Sequence, residues 1–272
     1  MRSRCFSILF AIFLYSQGSS VNAQTGSTAT SQPQASTLLA QAAAALTGST
    51  TISDVTLTGN AQSIAGSDNE SGTVTLKAMA AGESRMDLAL SGGDRSQIRS
   101  IDANGNTVGA WSGLDGVQHP ISFHNLLTDS AWFFPALTLN RIASNSTMVG
   151  TYIGQETLNG QSVFHVSVSQ TPAVATAPDA AIMQHLTQMN FYLDPTTLLP
   201  VALSFSTHPD NTELLDISVQ IQFSNYQTIG GVQIPLHVQE LVNGTLSLDL
   251  QLQSATLNSG LSATQFTVQV AP

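Results

Sequence analysis

The sequence predicts an α+β, mostly β protein, built on an antiparallel sheet with a few helices. Three observations carry this. Leu215, Ile217, Val219, Ile221 and Phe223 fall at every second position, with Asp216, Ser218, Gln220 and Gln222 between them. Such a period of two implies one buried and one wet strand face. Turn pairs separate the runs: Asn104-Gly105, Asn159-Gly160, Gly230-Gly231 and Asn243-Gly244. Each suits a tight hairpin that needs positive φ. Strand-like runs also recur at about ten-residue spacing between residues 49 and 113, the spacing of an up-and-down sheet.

The first 23 residues read as a secretory signal. Arg2 and Arg4 form a basic start, residues 6–15 an apolar core, and Val21-Asn22-Ala23 a cleavage site. That apolar run is too short for a stable transmembrane helix, and no other run reaches spanning length. The mature chain is expected to start at Gln24 and to be periplasmic or secreted. Cleavage takes seven basic residues to five against 17 acids, a charge of about −12, with Lys77 the one lysine left. No basic patch can be built, so nucleic acid and anionic membrane surfaces are excluded as partners. Cys5 is the only cysteine and leaves with the signal. Disulfides and thiolate metal sites are excluded with it.

Residues 24–36 are polar and aperiodic, which predicts a disordered spacer. A single domain is expected over residues 37–272. Residues 37–46 (TLLAQAAAAL) favour helix, with Ser36 as N-cap and Gly48 past the end. Val55 and Leu57, Val74 and Leu76, Met86 with Leu88 and Leu90, residues 97–101 and residues 108–111 give five strands. Residues 120–139 (PISFHNLLTDSAWFFPALTL) break the pattern and concentrate large apolar groups. They predict one or two short helices, broken before Pro135. Two readings stand: a pair that plugs the core, or an apolar lid over a lipid-sized cavity.

Residues 147–157 and 162–168 read as strands, and residues 170–179 as a Pro- and Ala-rich loop. Residues 179–189 read as a short helix capped by Asp179. Phe191 and Leu193 lead through the Asp194-Pro195 turn to a strand with Pro200 near its start, and residues 208–211 (HPDN) turn again. Val232, Ile234, Leu236 and Val238 alternate, as do Leu246, Leu248, Leu250 and Leu252.

The order of segments over residues 189–266 is specific. FYLDPTTLLPVALSF is followed by FSNYQTIGGVQIPLHV, a leucine-alternating strand, and then Asn258, Leu261 and Phe266. It resembles the periplasmic lipoprotein-carrier superfamily, the LolA/LolB-like fold, with its relative in the sigma-factor regulator RseB. The resemblance implies a strongly curved antiparallel sheet, a half-open barrel, with an N-terminal helix and short helices plugging the concave face. It further implies a non-enzymatic protein that binds a hydrophobic small molecule, lipid or lipoprotein, with no cofactor. The hollow is expected to be lined by Leu126, Leu127, Trp132, Phe133, Phe134 and Leu137. The alternative is an envelope protein-interaction or sensor module like RseB.

Residues that could carry chemistry are sparse. His119 and His124 lie five apart, which does not place both on one helical face. His165 reads as a satisfied strand histidine. His185, His208 and His237 are isolated in sequence. Asp210, Glu213 and Asp216 form an acidic edge beside a turn, with weak calcium binding as the sharper reading. There is no G-x-S-x-G and no phosphate loop. No catalytic residue and no metal site is expected. A third reading, a secreted hydrolase, would need a buried histidine–carboxylate pair in a cleft.

Overall fold

The structure, a computed structural model, describes residues 28–171 and 176–269. The signal segment with its cleavage site at Ala23, and residues 24–27 of the spacer, lie outside the described residues. Thirteen strands form one antiparallel sheet: β1 (Asp54–Ala65), β2 (Asp68–Met79), β3 (Ser84–Leu90), β4 (Gly93–Ile101), β5 (Thr107–Ser112), β6 (Gln118–Pro120), β7 (Met148–Leu158), β8 (Gln161–Gln170), β9 (Met189–Leu193), β10 (Pro200–Thr207), β11 (Ile217–Ile229), β12 (Val232–Val242) and β13 (Thr245–Leu257). Their spatial order is β6-β5-β4-β3-β2-β1-β13-β12-β11-β10-β9-β8-β7. The sheet curves but does not close, so β6 and β7 are free edges. This is the expected half-open barrel.

Alternation sets which residues face the hollow. Val55, Leu57, Leu76, Phe191, Leu203, Ile221, Val238 and Leu250 are buried there in one continuous core. Gly230 and Gly231, at φ 59° and 84°, make the expected tight turn between β11 and β12. Asn159-Gly160 and Asn243-Gly244 likewise pair two positive φ values. Asn104 does not. There Asp102 Oδ1 accepts from the Asn104 and Asn106 amides, so an Asx-type loop replaces the expected two-residue hairpin.

Three helices complete the fold: α1 (Thr28–Thr47), α2 (Pro135–Ser144) and α3 (Ala177–Thr187). α1 begins at Thr28, so residues 28–36 are helical where a spacer was expected, and Ser36 is not its N-cap. Its added first turns are polar, and Ala35, Leu39, Ala42 and Leu46 bury one stripe on the sheet. It meets β7 at Gly150, where an added Cβ would stand 3.1 Å from the Ala35 Cβ. α2 starts with Pro135 at its first turn, the position where a missing N–H costs nothing. α3 is capped by Thr176, whose Oγ1 accepts from the Asp179 amide, and not by Asp179. No helix among the described residues is long and apolar enough to cross a membrane.

The β1–β13 ladder closes the middle of the sheet. At its register shift Gly59 approaches so near that a Cβ would lie 2.2 Å from the Gln251 carbonyl oxygen and 2.6 Å from the Leu252 Cα. Backbone atoms on both sides cannot yield. Gly59→Ala is expected to destabilise by at least about 2 kcal/mol, read as a lower urea midpoint. A midpoint equal to wild type would contradict the tight approach.

Candidate functional site: the mouth of the half-open sheet

The chain leaves β6 at one free edge and re-enters at β7 on the other. The linker between them crosses the hollow. Its first part is a 3-10 turn, Phe123–Leu126. Asn125 anchors this turn to the end of β10: its Oδ1 accepts from the His208 amide and the Thr207 hydroxyl, and its Nδ2 donates to the His208 carbonyl. Gly109 on β5 leaves space for Leu126, whose Cδ2 would stand 2.7 Å from any added Cβ. Past this point Trp132, Phe133, Phe134 and Leu137 enter the hollow. All four are buried in the same core as the sheet. Trp132 and Phe133 meet edge to face with centroids 5.6 Å apart, a favourable aromatic geometry.

Leu126 and Leu127 stand apart from those four. They line a cavity of about 260 Å³ at the mouth. Its other walls are Ile101 of β4, Ile142 of α2, Met148 of β7 and Met189 of β9. Both edges of the sheet therefore contribute to it. The six residues expected to line one hollow thus divide. Four fill its interior and two face the remaining space.

One side of this cavity is charged, which the sequence did not single out. Asp129 accepts from Arg141 Nε at 2.8 Å and Nη2 at 2.5 Å, from the Ala131 amide and from the Thr138 hydroxyl. Burial pushes its carboxyl up, but the Arg141 charge and these four donors outweigh it and hold it below the usual carboxylate value. Arg141 also donates to the Met79 carbonyl. Arg99 on β4 lies under the linker and donates from Nη1 to the Thr128 carbonyl at 2.9 Å. Burial, with a lesser push from Arg141, lowers it to about 10, so it stays cationic at neutral pH. Of these charged groups Asp129 and Arg141 line the cavity, and Arg99 is buried behind the linker. A local signal existed for Asp129: an Asp two residues before an amide that needs an acceptor is an Asx turn. Its arginine partners come from other elements, and no spacing rule links them.

The histidines separate into distinct settings. His119 pairs with Asp115 and stacks on Trp111, while His124 turns toward His208. His165 bonds Asn190 through Nε2 and packs on the Tyr192 ring, with its Nδ1 3.3 Å from a Glu156 carboxylate oxygen. Asp210 accepts from Ser122, and Asp216 turns to His185 and His208, so the acidic edge does not converge on a calcium-like site among the described residues. Ser224, His237 and Asp249 line up across β11, β12 and β13, with Ser224 Oγ 3.1 Å from His237 Nδ1 and Asp249 3.1 Å from Nε2. They lie on the outer sheet face. The depressions beside them hold Ser224 or Asp249 but not both. Among the described residues, neither of these depressions brings nucleophile, base and oxyanion donors together.

No family profile and no curated protein sequence matches the chain. Solved structures do match in shape. A domain assigned to outer membrane lipoprotein sorting from Vibrio parahaemolyticus superposes with a TM-score of 0.55 at 13% identity, over 86% of this chain and 97% of that one. A DUF1329 family protein from Desulfovibrio piger gives 0.50 at 12% identity, over 87% and 97%. A LolA superfamily protein from Nitrosomonas europaea gives 0.49 at 9% identity, over 86% and 97%. The fold is LolA/LolB-like, as the strand order over residues 189–266 implied.

Proposed function

We propose that this protein is an exported, non-enzymatic carrier of a hydrophobic ligand, an acyl chain or a lipoprotein, held in the hollow of the half-open sheet. The observation that carries this reading is the linker itself. An open sheet needs its concave face covered, and here the cover is not a strand but a removable segment rich in large apolar groups. Side chains at residues 132–137 occupy the space an acyl chain would take, and the cavity of about 260 Å³ beside them marks where entry begins. Sites for drug-sized ligands span roughly 300–1,000 Å³. In this reading the filled hollow is a closed form, and full binding requires the linker to move outward.

The energetics are favourable enough for such an exchange. Burying an acyl chain gains about 0.8 kcal/mol per methylene, while the displaced aromatic groups give back part of that. Phe123, Ile182, Leu214 and Leu215 are exposed and flank the same end of the molecule, where a lipid surface or lipoprotein donor would approach.

Native mass spectrometry of the mature protein with added palmitate tests the reading. Uptake of one or more acyl chains is expected. Leu127→Trp, at a half-buried position that can grow into the cavity, should cut uptake about tenfold while leaving the unfolding midpoint within a few degrees. A clean apo mass at saturating palmitate and lipopeptide would sink the carrier reading.

A further inference from the structure

We infer that His185, His208 and Asp216 form a binding site for a zinc-class divalent transition metal ion, at the rim of the mouth and independent of the acyl-carrier reading. The three residues come from three places: His185 from the last turn of α3, His208 from just past β10, and Asp216 from just before β11. One ligand atom from each lies within 4.8 Å of the other two. Asp216 Oδ1 is 2.9 Å from His208 Nε2 and 3.1 Å from His185 Nε2. Zinc–ligand bonds of about 2.0–2.1 Å place neighbouring donors of a tetrahedron roughly 3.3 Å apart. The two carboxylate–imidazole separations are within a few tenths of an ångström of that value, and the two imidazole donors lie within 4.8 Å of each other.

Several features favour a cation there. Three of the chain's six histidines gather at this corner. His124 stands edge-on to His208 at 5.8 Å, and His185 lies 5.5 Å from it. The His208 side chain is only 1% exposed and turns its Nε2, the proposed ligand atom, to Asp216. Asp216 Oδ1 alone serves both Nε2 atoms, and among the described residues that carboxylate makes no other bond. Two imidazoles and one carboxylate match the donor set of open zinc sites, which keep a fourth position for water. A polar cavity of about 230 Å³, lined by His185 and Asp216 with Asn190, Ser204, Ser206 and Ser218, brings solvent to that position. Asp210 and Glu213 on the same loop add negative charge nearby, and the whole chain is acidic.

A bound ion would clamp α3 to the loop between β10 and β11. Asn125 already ties the linker to the His208 backbone, so the clamp would bear directly on the segment that covers the hollow.

Untagged mature protein, stripped with chelator, is titrated with Zn²⁺ against a chromophoric competitor, and with Co²⁺ for visible d–d absorption. One equivalent of zinc and a four-coordinate cobalt spectrum are expected. His185→Ala and Asp216→Asn, both at exposed positions and so of low folding risk, should each weaken zinc binding about tenfold or more. His119→Ala, which removes the pair with Asp115 and the stacking on Trp111 away from this corner, should leave it unchanged. Absence of stoichiometric zinc uptake by folded wild type would overturn the site. So would wild-type affinity in both site variants, or an equal loss in His119→Ala.

Discussion

Asp129→Ala should lower the unfolding free energy by about 3–5 kcal/mol, the loss seen when one partner of a buried ion pair is removed. The Asp129 side chain is 10% exposed and that of Arg141 20%, so solvent cannot replace the missing carboxylate well. Four donors lose their acceptor at once: Arg141 Nε and Nη2, the Ala131 amide and the Thr138 hydroxyl. Arg99 and Arg141 would then face each other without the intervening negative charge. The pH dependence follows from the direction of the shift. The folded carboxyl is held below its unfolded value of about 3.9. Its stabilisation is therefore complete above that value and fades as pH falls through the lower folded pKa. Urea unfolding at pH 7 should show the full difference between wild type and variant, and the difference should shrink below about pH 4. A loss under 1 kcal/mol at pH 7 would mean that the linker is not held by this carboxylate.

Phe134→Ala should cost about 3–5 kcal/mol and, in the same protein, increase uptake of apolar ligands. Phe134 is fully buried at the start of α2, within the core that joins helix and sheet. Truncating a buried aromatic loses its transfer free energy and leaves a cavity that relaxes only in part. Here that cavity would open inside the hollow. Stability and binding should thus move in opposite directions, an outcome a plain core residue would not give. Urea unfolding and palmitate titration on the same sample separate the two effects. Reduced stability with reduced or unchanged uptake would argue that the aromatic cluster is a fixed core and not a displaceable plug.

Much of the sheet was legible because alternation is a local signal. Val219, Ile221 and Phe223 needed no knowledge of their neighbours, and Gly230-Gly231 named its own turn. The break before Pro135 was equally local. The start of α1 was hidden because its first turns are polar, and their helical state is not marked by periodic apolar residues. β6 is three residues long and pairs only because β5 lies beside it. The concentration of apolar groups at residues 126–137 was plain, but whether each fills the hollow or faces the cavity depends on the curvature of a sheet contributed by the whole chain. The charged side of the mouth was less visible still. Arg99 comes from β4, Asp129 from the linker and Arg141 from α2. The same holds for His185, His208 and Asp216, which periodicity cannot join because each ends or begins a different element.

The seam between β1 and β13 has a kinetic consequence. Every other pair of neighbouring strands is consecutive along the chain, so β1–β6 and β7–β13 can each zip from their own turns. The seam alone pairs residues from opposite ends, Val55 with Leu257 and Ser63 with Leu248. Loop closure of that span is slow and cannot begin until the last strand exists. The two meanders should therefore form early as separate units, each with an exposed edge, and dock late. Asp54 completes the docking by accepting from the Ser259 and Gly260 amides, and Asn258 by accepting from the Ser53 amide. A nascent chain of this protein would remain incompletely folded, with β1 unpaired on one side, until β13 has been made.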